Sequence, residues 1–560
     1  MAAKQKASKK SKRRVIGQPP HGIIVVVLLA ISAGLVFWHL GSVCIWEDEA
    51  QTAVVAKNIL FQGVPAASDG KNLVSIFPDH RDIRDGIYIW QGWLPSYLAA
   101  GSMAVLGRTA FGARFPFAAT FVVFIGLFYA FLRKWQPSDR HRHMWLTVAL
   151  TLTCVPLLLH ARQCRYYVLV PLLNLLIIDA YLSLLKDPKL KHRIMLIVWA
   201  TALVNSFFPG AVLLAVALGV DLTRRKPTRP VLKELAVAAG IVLIVNLPMA
   251  WFCRIWDRRF GVQPAYDDPA VFGMYLLRYL LTLNNYFIPF SLIVLACSLR
   301  WRAIARRNGF KDELSFLFLA VCLTQVIGFA LLSDYPFTRY VIGIVPFLMF
   351  LGASCIEALS FNRPWLVWPL GVAVVGTNLF QVVPLPLLRQ TNLQGARWTR
   401  AGINPEFLEP GNIGFSFARG EVKELINIPV GFPLVDCLRG IVHPQRGPID
   451  GIVEYLGKNA VPTDRLKISY GDLPLMFHTD LTIVSSVDVG APAPEWMIFR
   501  HFNSMKMDEE FVRETSKYEY SKITIPFPDL QWNNQPDPLY HYDEIPSNDL
   551  APPIAILRKH

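Results

Sequence analysis

Apolar residues in this chain fall into long runs separated by short polar connections. The runs lie at 23–40, 115–132, 144–160, 166–185, 194–208, 210–222, 233–253, 280–299, 314–332, 340–358 and 365–384. At 1.5 Å of rise per residue, about 20 apolar residues cross the roughly 30 Å hydrocarbon core of a bilayer. The pattern therefore predicts an all-α polytopic membrane domain crossing about eleven times. The first run is read as a span and not as a cleaved leader, because no small-x-small site precedes Glu47-Asp48-Glu49. Residues 90–107 are apolar but short and interrupted by Pro95, so they are expected to lie at the interface or re-enter it.

The pattern changes after about residue 388, where Gly, Pro, Asp and Asn become common and long apolar runs stop. Ile449, Ile452, Val453 and Leu456 follow helical spacing, and strands are expected at 466–470, 481–485 and 496–500. Three parts result: a basic cytoplasmic tail at 1–21, a membrane domain at 22–387 with its first outer loop at 42–110, and a soluble α/β domain at 388–560.

Composition agrees, with 53% hydrophobic and only 17% charged residues. The net charge of +15 changes the picture only through its placement. Lys4, Lys6, Lys9, Lys10, Lys12, Arg13 and Arg14 precede the first run, and Arg133, Lys134, Lys186, Lys189, Arg224, Arg225, Arg300 and Arg363 fill alternate connections. That is the positive-inside pattern of a multi-pass inner (plasma) membrane protein in contact with membrane lipids, and it argues against nucleic acid. Parity then puts the soluble domain outside. The eight cysteines form no CxxC pair, and no HExxH pattern points to a metal.

Three charged clusters fall on the outer face in this scheme. Trp46-Glu47-Asp48-Glu49-Ala50-Gln51 follows the first run and opens an amphipathic helix that Gly63-Val64-Pro65 ends. Asp48 serves there either as a helix cap, with Gln51 three residues on, or as a fixed carboxylate general base. Arg162 and Arg165 are three apart, which on a helix places both guanidinium groups on one face, as interfacial anchors or as a bidentate phosphate site. Arg339 enters a span from outside and needs a partner such as Asp334, or an anionic ligand. Asp79, His80, Arg81, Asp82 and Asp85 form a charged run, read as solvated or as substrate-binding. Asp179, deep in an apolar run, is placed toward the cytoplasmic side, away from these clusters.

Asp48-Glu49-Ala50 after the first span and the helix ending at Gly63-Val64-Pro65 resemble the GT-C class of membrane glycosyltransferases. Within that class the residues resemble the branch of protein O-mannosyltransferases and the lipid A aminoarabinose transferase. Trp93-Leu94-Pro95-Ser96-Tyr97-Leu98, Ala113-Arg114-Phe115-Pro116, Arg162–Tyr167, Phe208-Pro209-Gly210 and Arg339-Tyr340 extend the likeness to about residue 360. Gln91-Gly92-Trp93-Leu94-Pro95 replaces the family's His-Pro-Pro-Leu element, and Tyr167 stands where an acidic residue is common.

The resemblance implies a polyprenyl-phosphate-linked sugar donor, an acceptor hydroxyl on a glycolipid, polysaccharide or protein, and an active site on the outer face. Asp48 would be the base of a single inverting displacement and Glu49 would orient the acceptor. Arg162, Arg165 or Arg339 would hold the phosphate. Tyr166, Tyr167, His80, Arg81 and Tyr340 are candidate donor or acceptor contacts. With arginines carrying the electrostatic work, no metal or other cofactor is expected. A transporter or lipid flippase, and a polysaccharide polymerase or ligase, are the competing readings.

Overall fold

The computed structural model describes residues 21–77, 79–137, 140–255, 268–307, 313–360, 363–382, 419, 422–484, 493–498, 500, 516, 518–529 and 553–560. The basic tail and the expected boundary near 388 lie outside the described residues.

Helices follow the apolar runs. They are α1 (His21–Phe37), α2 (Glu47–Gln62), α3 (Leu94–Leu106), α4 (Ala110–Trp135), α5 (His141–Leu152), α6 (Val155–Ala161), α7 (Leu169–Lys186), α8 (Leu190–Arg225) and α9 (Arg229–Phe252). After them come α10 (Pro269–Tyr286), α11 (Phe290–Arg307), α12 (Glu313–Leu332), α13 (Val345–Leu359), α14 (Val367–Gly376) and α15 (Leu379–Val382). Among the described residues, six helices are long and apolar enough to cross a membrane, or up to eight if each bent pair is one span. The runs expected to span first and last instead form shorter apolar helices, Gly22–Phe37 and Pro364–Gly376. The 90–107 segment gives α3, at roughly 20 Å too short to cross, as its Pro95 and length suggested.

Two expected spans are broken. The 144–160 run bends by 56° between α5 and α6, and the 280–299 run crosses an 84° break between α10 and α11. The second break has a local cause. Pro289 has no N–H to continue the helix, and Asn284 Oδ1 instead accepts from Phe290 N at 2.8 Å. Hydropathy averages through such a site without registering it.

Helix α8 doubles back at Phe207, whose φ of −151° and ψ of 84° leave the helical region just before Pro209. Tyr181, one turn from the end of α7, donates to Asp221 at 2.9 Å. A straight helix would carry Asp221 roughly 45 Å from Leu190, which starts only a short link after α7. The break falls inside the expected turn Phe207-Phe208-Pro209-Gly210. Asp179, discounted from the sequence, is satisfied by Lys134 at 2.8 Å and Trp135 Nε1 at 2.7 Å.

The first loop carries a small hairpin, β1 (Ile83–Arg84) and β2 (Ile87–Tyr88), turned by Asp85 and Gly86 with φ of 50° and 76°. Both central residues are left-handed, the conformation that Asp-Gly accommodates in a tight hairpin.

The C-terminal part adds α16 (Pro433–Val442), α17 (Pro448–Asn459) and α18 (Asp472–His478) to a five-stranded sheet. Its strands are β3 (Arg465–Ile468), β4 (Thr482–Val484), β5 (Trp496–Ile498), β6 (Tyr520–Pro528) and β7 (Pro553–Lys559), in the order β4-β3-β5-β7-β6. The three strands expected from sequence are the parallel ones, and β7 and β6 extend them antiparallel.

This sheet domain docks on the first loop through backbone-directed hydrogen bonds. Cys44 N donates to Asp450 Oδ1 at 2.8 Å, Ile45 N to His478 Nε2 at 3.0 Å, and Ile483 N to Asn72 Oδ1 at 2.7 Å. Lys57 Nζ reaches Met476 O at 3.1 Å. The domain therefore sits directly over α2.

Candidate active site

Helix α2 opens with three consecutive acids, placed where the dipole favours negative charge. The three side chains go to different surroundings. Trp46, not Asp48, is the N-cap residue, and Asp48 is the second residue of the helix. The capping contact expected of Asp48 is made by Glu49, whose Oε2 accepts from Trp46 N at 3.4 Å.

Glu49 points inward and is fully buried. Arg114 grips it with two bonds, Nε to Oε1 at 2.6 Å and Nη2 to Oε2 at 2.8 Å. Cys164 N adds a third at 2.8 Å. Arg114 spends its remaining donors on the carbonyls of Leu40, Val43 and Cys44, which tie off the end of the α1 segment. A buried carboxylate with this many donors is a structural lock between α2, α4 and the loop after α6.

Asp48 faces the other way. Its Oδ2 lies 3.0 Å from Arg339 Nη2, with only 18% and 15% of the two side chains exposed. Arg339 sits on the 3₁₀ turn Thr338–Ile344 that leads into α13, and its guanidinium covers the Phe337 ring at 3.7 Å. The partner foreseen for Arg339 was Asp334. Instead the pairing is with the candidate base itself.

Arg162 and Arg165 do not share a helical face. Helix α6 ends at Ala161, and Arg165 is extended at φ −148° and ψ 161°, so the i,i+3 geometry never forms. Arg162 Nη1 donates to Leu35 O and Val36 O at 3.0 and 3.1 Å, satisfying carbonyls at the end of α1.

Arg165 turns into the site, 7% exposed. It donates to Gln91 Oε1 at 2.6 Å, Gln51 Oε1 at 3.1 Å and Thr52 Oγ1 at 3.2 Å, and its Nε has no partner. Every one of those acceptors is neutral. Among the described residues no carboxylate stands at ion-pair distance from this buried guanidinium, an arrangement suited to an anion.

In the sequence Gln51 stands out only as a capping partner and Gln91 only as the start of the element in place of His-Pro-Pro-Leu, and Thr52 not at all. Neutral side chains carry no charge signature to place them around Arg165. Gln91 reaches Arg165 because Gly92 lets the backbone approach α8. A Cβ there would stand 2.1 Å from Asn205 O.

Around these groups is a wall of aromatic rings. Tyr166 stacks on Phe207 at 4.8 Å, Phe207 on Tyr340 at 5.9 Å, and Tyr167 meets Tyr166 edge-on at 4.7 Å. The break in α8 is what turns Phe207 into this cluster. Among the described residues, several buried polar atoms here lack a hydrogen-bond partner: Glu47 Oε2, Gln91 Nε2, Arg165 Nε and Tyr167 OH. In a folded protein such atoms are normally met by water or a ligand.

The sheet domain closes the site from above. Asp472, the first residue of α18, lies against Glu47, and burial together with that neighbouring carboxyl pushes Glu47 well above the usual carboxylate range. His80 and Arg81 lie elsewhere in the first loop. Arg81 pairs with Asp79 at 3.1 Å on an exposed surface, and His80 has a left-handed backbone at φ 51°. Asp82 is buried and accepts from Ser75 Oγ and Ile76 N, a fold-stabilising role.

The sequence matches no family model and no curated protein. Solved structures do match. AglB from Archaeoglobus fulgidus, with an inhibitory peptide and a dolichol-phosphate, overlaps at a TM-score of 0.47 and 10% identity over 82% of this chain and 63% of that one. ArnT from Cupriavidus metallidurans, in the apo state and again bound to undecaprenyl phosphate, overlaps at a TM-score of 0.55 and 12% identity. That overlap covers 96% of this chain and 98% of ArnT, so the membrane helices and the sheet domain together share the ArnT fold.

Proposed function

We propose that the protein is a membrane glycosyltransferase that moves a sugar from a polyprenyl-phosphate donor to an acceptor hydroxyl, with Asp48 as general base. The observation that carries this reading is the juxtaposition of a paired carboxylate, Asp48–Arg339, with a buried cation, Arg165, whose hydrogen-bond acceptors are all neutral. The fold shared with a protein solved with undecaprenyl phosphate supports a lipid phosphate as the missing anion.

In this mechanism the donor phosphate lies between Arg165 and Arg339. Its arrival draws Arg339 from Asp48, leaving Oδ2 to accept the proton of the acceptor hydroxyl. The acceptor oxygen bonds to the anomeric carbon as the bond from that carbon to the phosphate oxygen breaks, with inversion. The leaving group departs as an anion, so it needs positive charge and not a proton donor. Glu49, held by Arg114, fixes the first turn of α2 instead of touching the acceptor. Arg162 holds α1 and leaves the phosphate to the other two arginines. Tyr166, Tyr167 and Tyr340 line the aromatic side, where a sugar ring or the first isoprene unit packs.

The test uses purified full-length protein with undecaprenyl phosphate as the probe. Saturable binding is expected in wild type and in Asp48→Asn, with loss in Arg165→Gln. Transfer from lipid-linked sugar in membranes should fall by roughly 10²–10⁴-fold in Asp48→Asn, since an amide cannot take a proton. Near wild-type transfer by a folded Asp48→Asn protein would end the proposal.

A further inference from the structure

Helix α16 of the sheet domain carries two adjoining apolar faces, of which the protein covers one. Cys437 and Ile441 are buried where α16 packs on α6 and α14. Val435, Leu438 and Val442, spaced three and four apart, form a neighbouring stripe that is 47%, 36% and 47% exposed, and Phe432 at the helix entry is 58% exposed. A helix lying on a soluble domain in water would put polar residues in that second stripe. Here the polar residues, Asp436 and Arg439, occupy the far edge, and the Arg439 side chain is 73% exposed.

The stripe does not stand alone. Three hydrogen bonds pin its entry to the end of α14: Asn378 Nδ2 to Pro429 O at 2.7 Å, Gly431 N to Asn378 Oδ1 at 2.8 Å, and Asn378 N to Gly431 O at 3.3 Å. Val372 on α14 and Leu379 on α15 are 69% and 49% exposed, and Val430 at 60% precedes Phe432 at the entry of α16. Exposed apolar side chains thus occur on α14, on α15 and at the entry and along the stripe of α16, which the Asn378 hydrogen bonds hold together.

We infer that α16 is an interfacial helix, and that its second apolar stripe is covered by the leaflet on the Asp48 side of the bilayer. The occupant is the boundary between headgroups and acyl chains, with Arg439 at the level of the phosphates. Attachment to the end of α14, whose own Val372 is exposed, argues for lipid over a protein partner. An amphipathic helix with apolar side chains below and a cation at its edge is the form that binds this boundary. The consequence is positional. Pinned to the bilayer by α16 and to the first loop by α18, the sheet domain holds Asp472 over Glu47 at a fixed height above the membrane.

The experiment labels the full-length protein in vesicles of phosphatidylcholine with phosphatidylglycerol. An environment-sensitive fluorophore is placed at Val435→Cys or Leu438→Cys, and for comparison at Lys458→Cys on α17, where the side chain is 70% exposed. Lipids carrying a nitroxide high on the acyl chain should quench the labels at 435 and 438 strongly and shift their emission to the blue. The label at 458 should remain water-like. Water-like emission at all three positions would overturn the inference. So would a label at 435 that is shielded from water yet not quenched by the lipid nitroxide, because that pattern means a protein covers the stripe.

Discussion

Asp48 Oδ2 and Arg339 Nη2 stand 3.0 Å apart, joining the first turn of α2 to the turn that enters α13. In the proposed mechanism this pair is exchanged for a phosphate, so its two members act as a unit. Arg339→Gln and Asp48→Asn are each expected to lower transfer by roughly 10²-fold or more. The double variant should be little worse than the poorer single one, because groups that serve one step lose their effect together. Transfer rates in a double-mutant cycle check this. Losses that simply multiply would mean that the two residues work independently.

Glu49 and Arg114 illustrate the opposite case, a pair whose cost falls on stability. Both are almost completely buried, and Arg114 also holds three backbone carbonyls. Removing one partner strands a buried charge, at about 3–5 kcal/mol. Glu49→Gln and Arg114→Met are expected to lower the thermal midpoint and the folded yield in detergent. A Glu49→Gln protein with unchanged stability but abolished transfer would return Glu49 to the acceptor.

The docking of the sheet domain is expected to depend on pH with two opposed slopes. Burial pulls His478 down from 6.5 to about 4, and its neutral Nε2 accepts from Ile45 N. Above pH 6.5 the imidazole is neutral whether folded or not. From 6.5 down to about 4 only the unfolded chain takes up the proton, so stability falls as the pH falls. Glu47 is shifted upward by burial and by Asp472. Its contribution is therefore complete below the ordinary value of 4.5 and declines as pH rises toward its folded value. Thermal unfolding across this range checks both. His478→Gln should flatten the acid limb, and Glu47→Gln the limb above 4.5.

Much of this arrangement was legible in the sequence for a physical reason. Lipid demands apolar runs, and alternating basic connections mark their ends, so α4, α7, α9, α12 and the turn in α8 were visible. Strands β3 to β5 were visible because each is a short β-prone segment between breakers. What stayed hidden depends on tertiary partners. Arg114 sits at the start of a long apolar helix and gives no sign of its grip on Glu49. Gln51, Thr52 and Gln91 meet only when α2, the loop before α3 and Arg165 converge. The split between Arg162 and Arg165 was misread because three-residue spacing brings side chains together only if the backbone between them is helical.

That split supplies the last prediction. Arg162 and Arg165 look equivalent in sequence, yet one binds backbone carbonyls of α1 and the other neutral side chains beside Asp48. Lysine at 162 keeps the charge and can still reach a carbonyl oxygen, so Arg162→Lys is expected to cost about 1 kcal/mol of stability, near one hydrogen bond, and to leave transfer within a few-fold of wild type. Lysine at 165 cannot reproduce a fork that spans Gln91 and Gln51 while presenting Nε to a phosphate. Arg165→Lys should therefore fold normally and lose affinity for undecaprenyl phosphate by roughly tenfold or more, as expected when a charge-assisted hydrogen bond is lost. Binding and thermal midpoints measured side by side separate the two. If Arg162→Lys weakens lipid binding as much as Arg165→Lys does, the assignment of the phosphate to Arg165 and Arg339 fails, and the two arginines form one anion site after all.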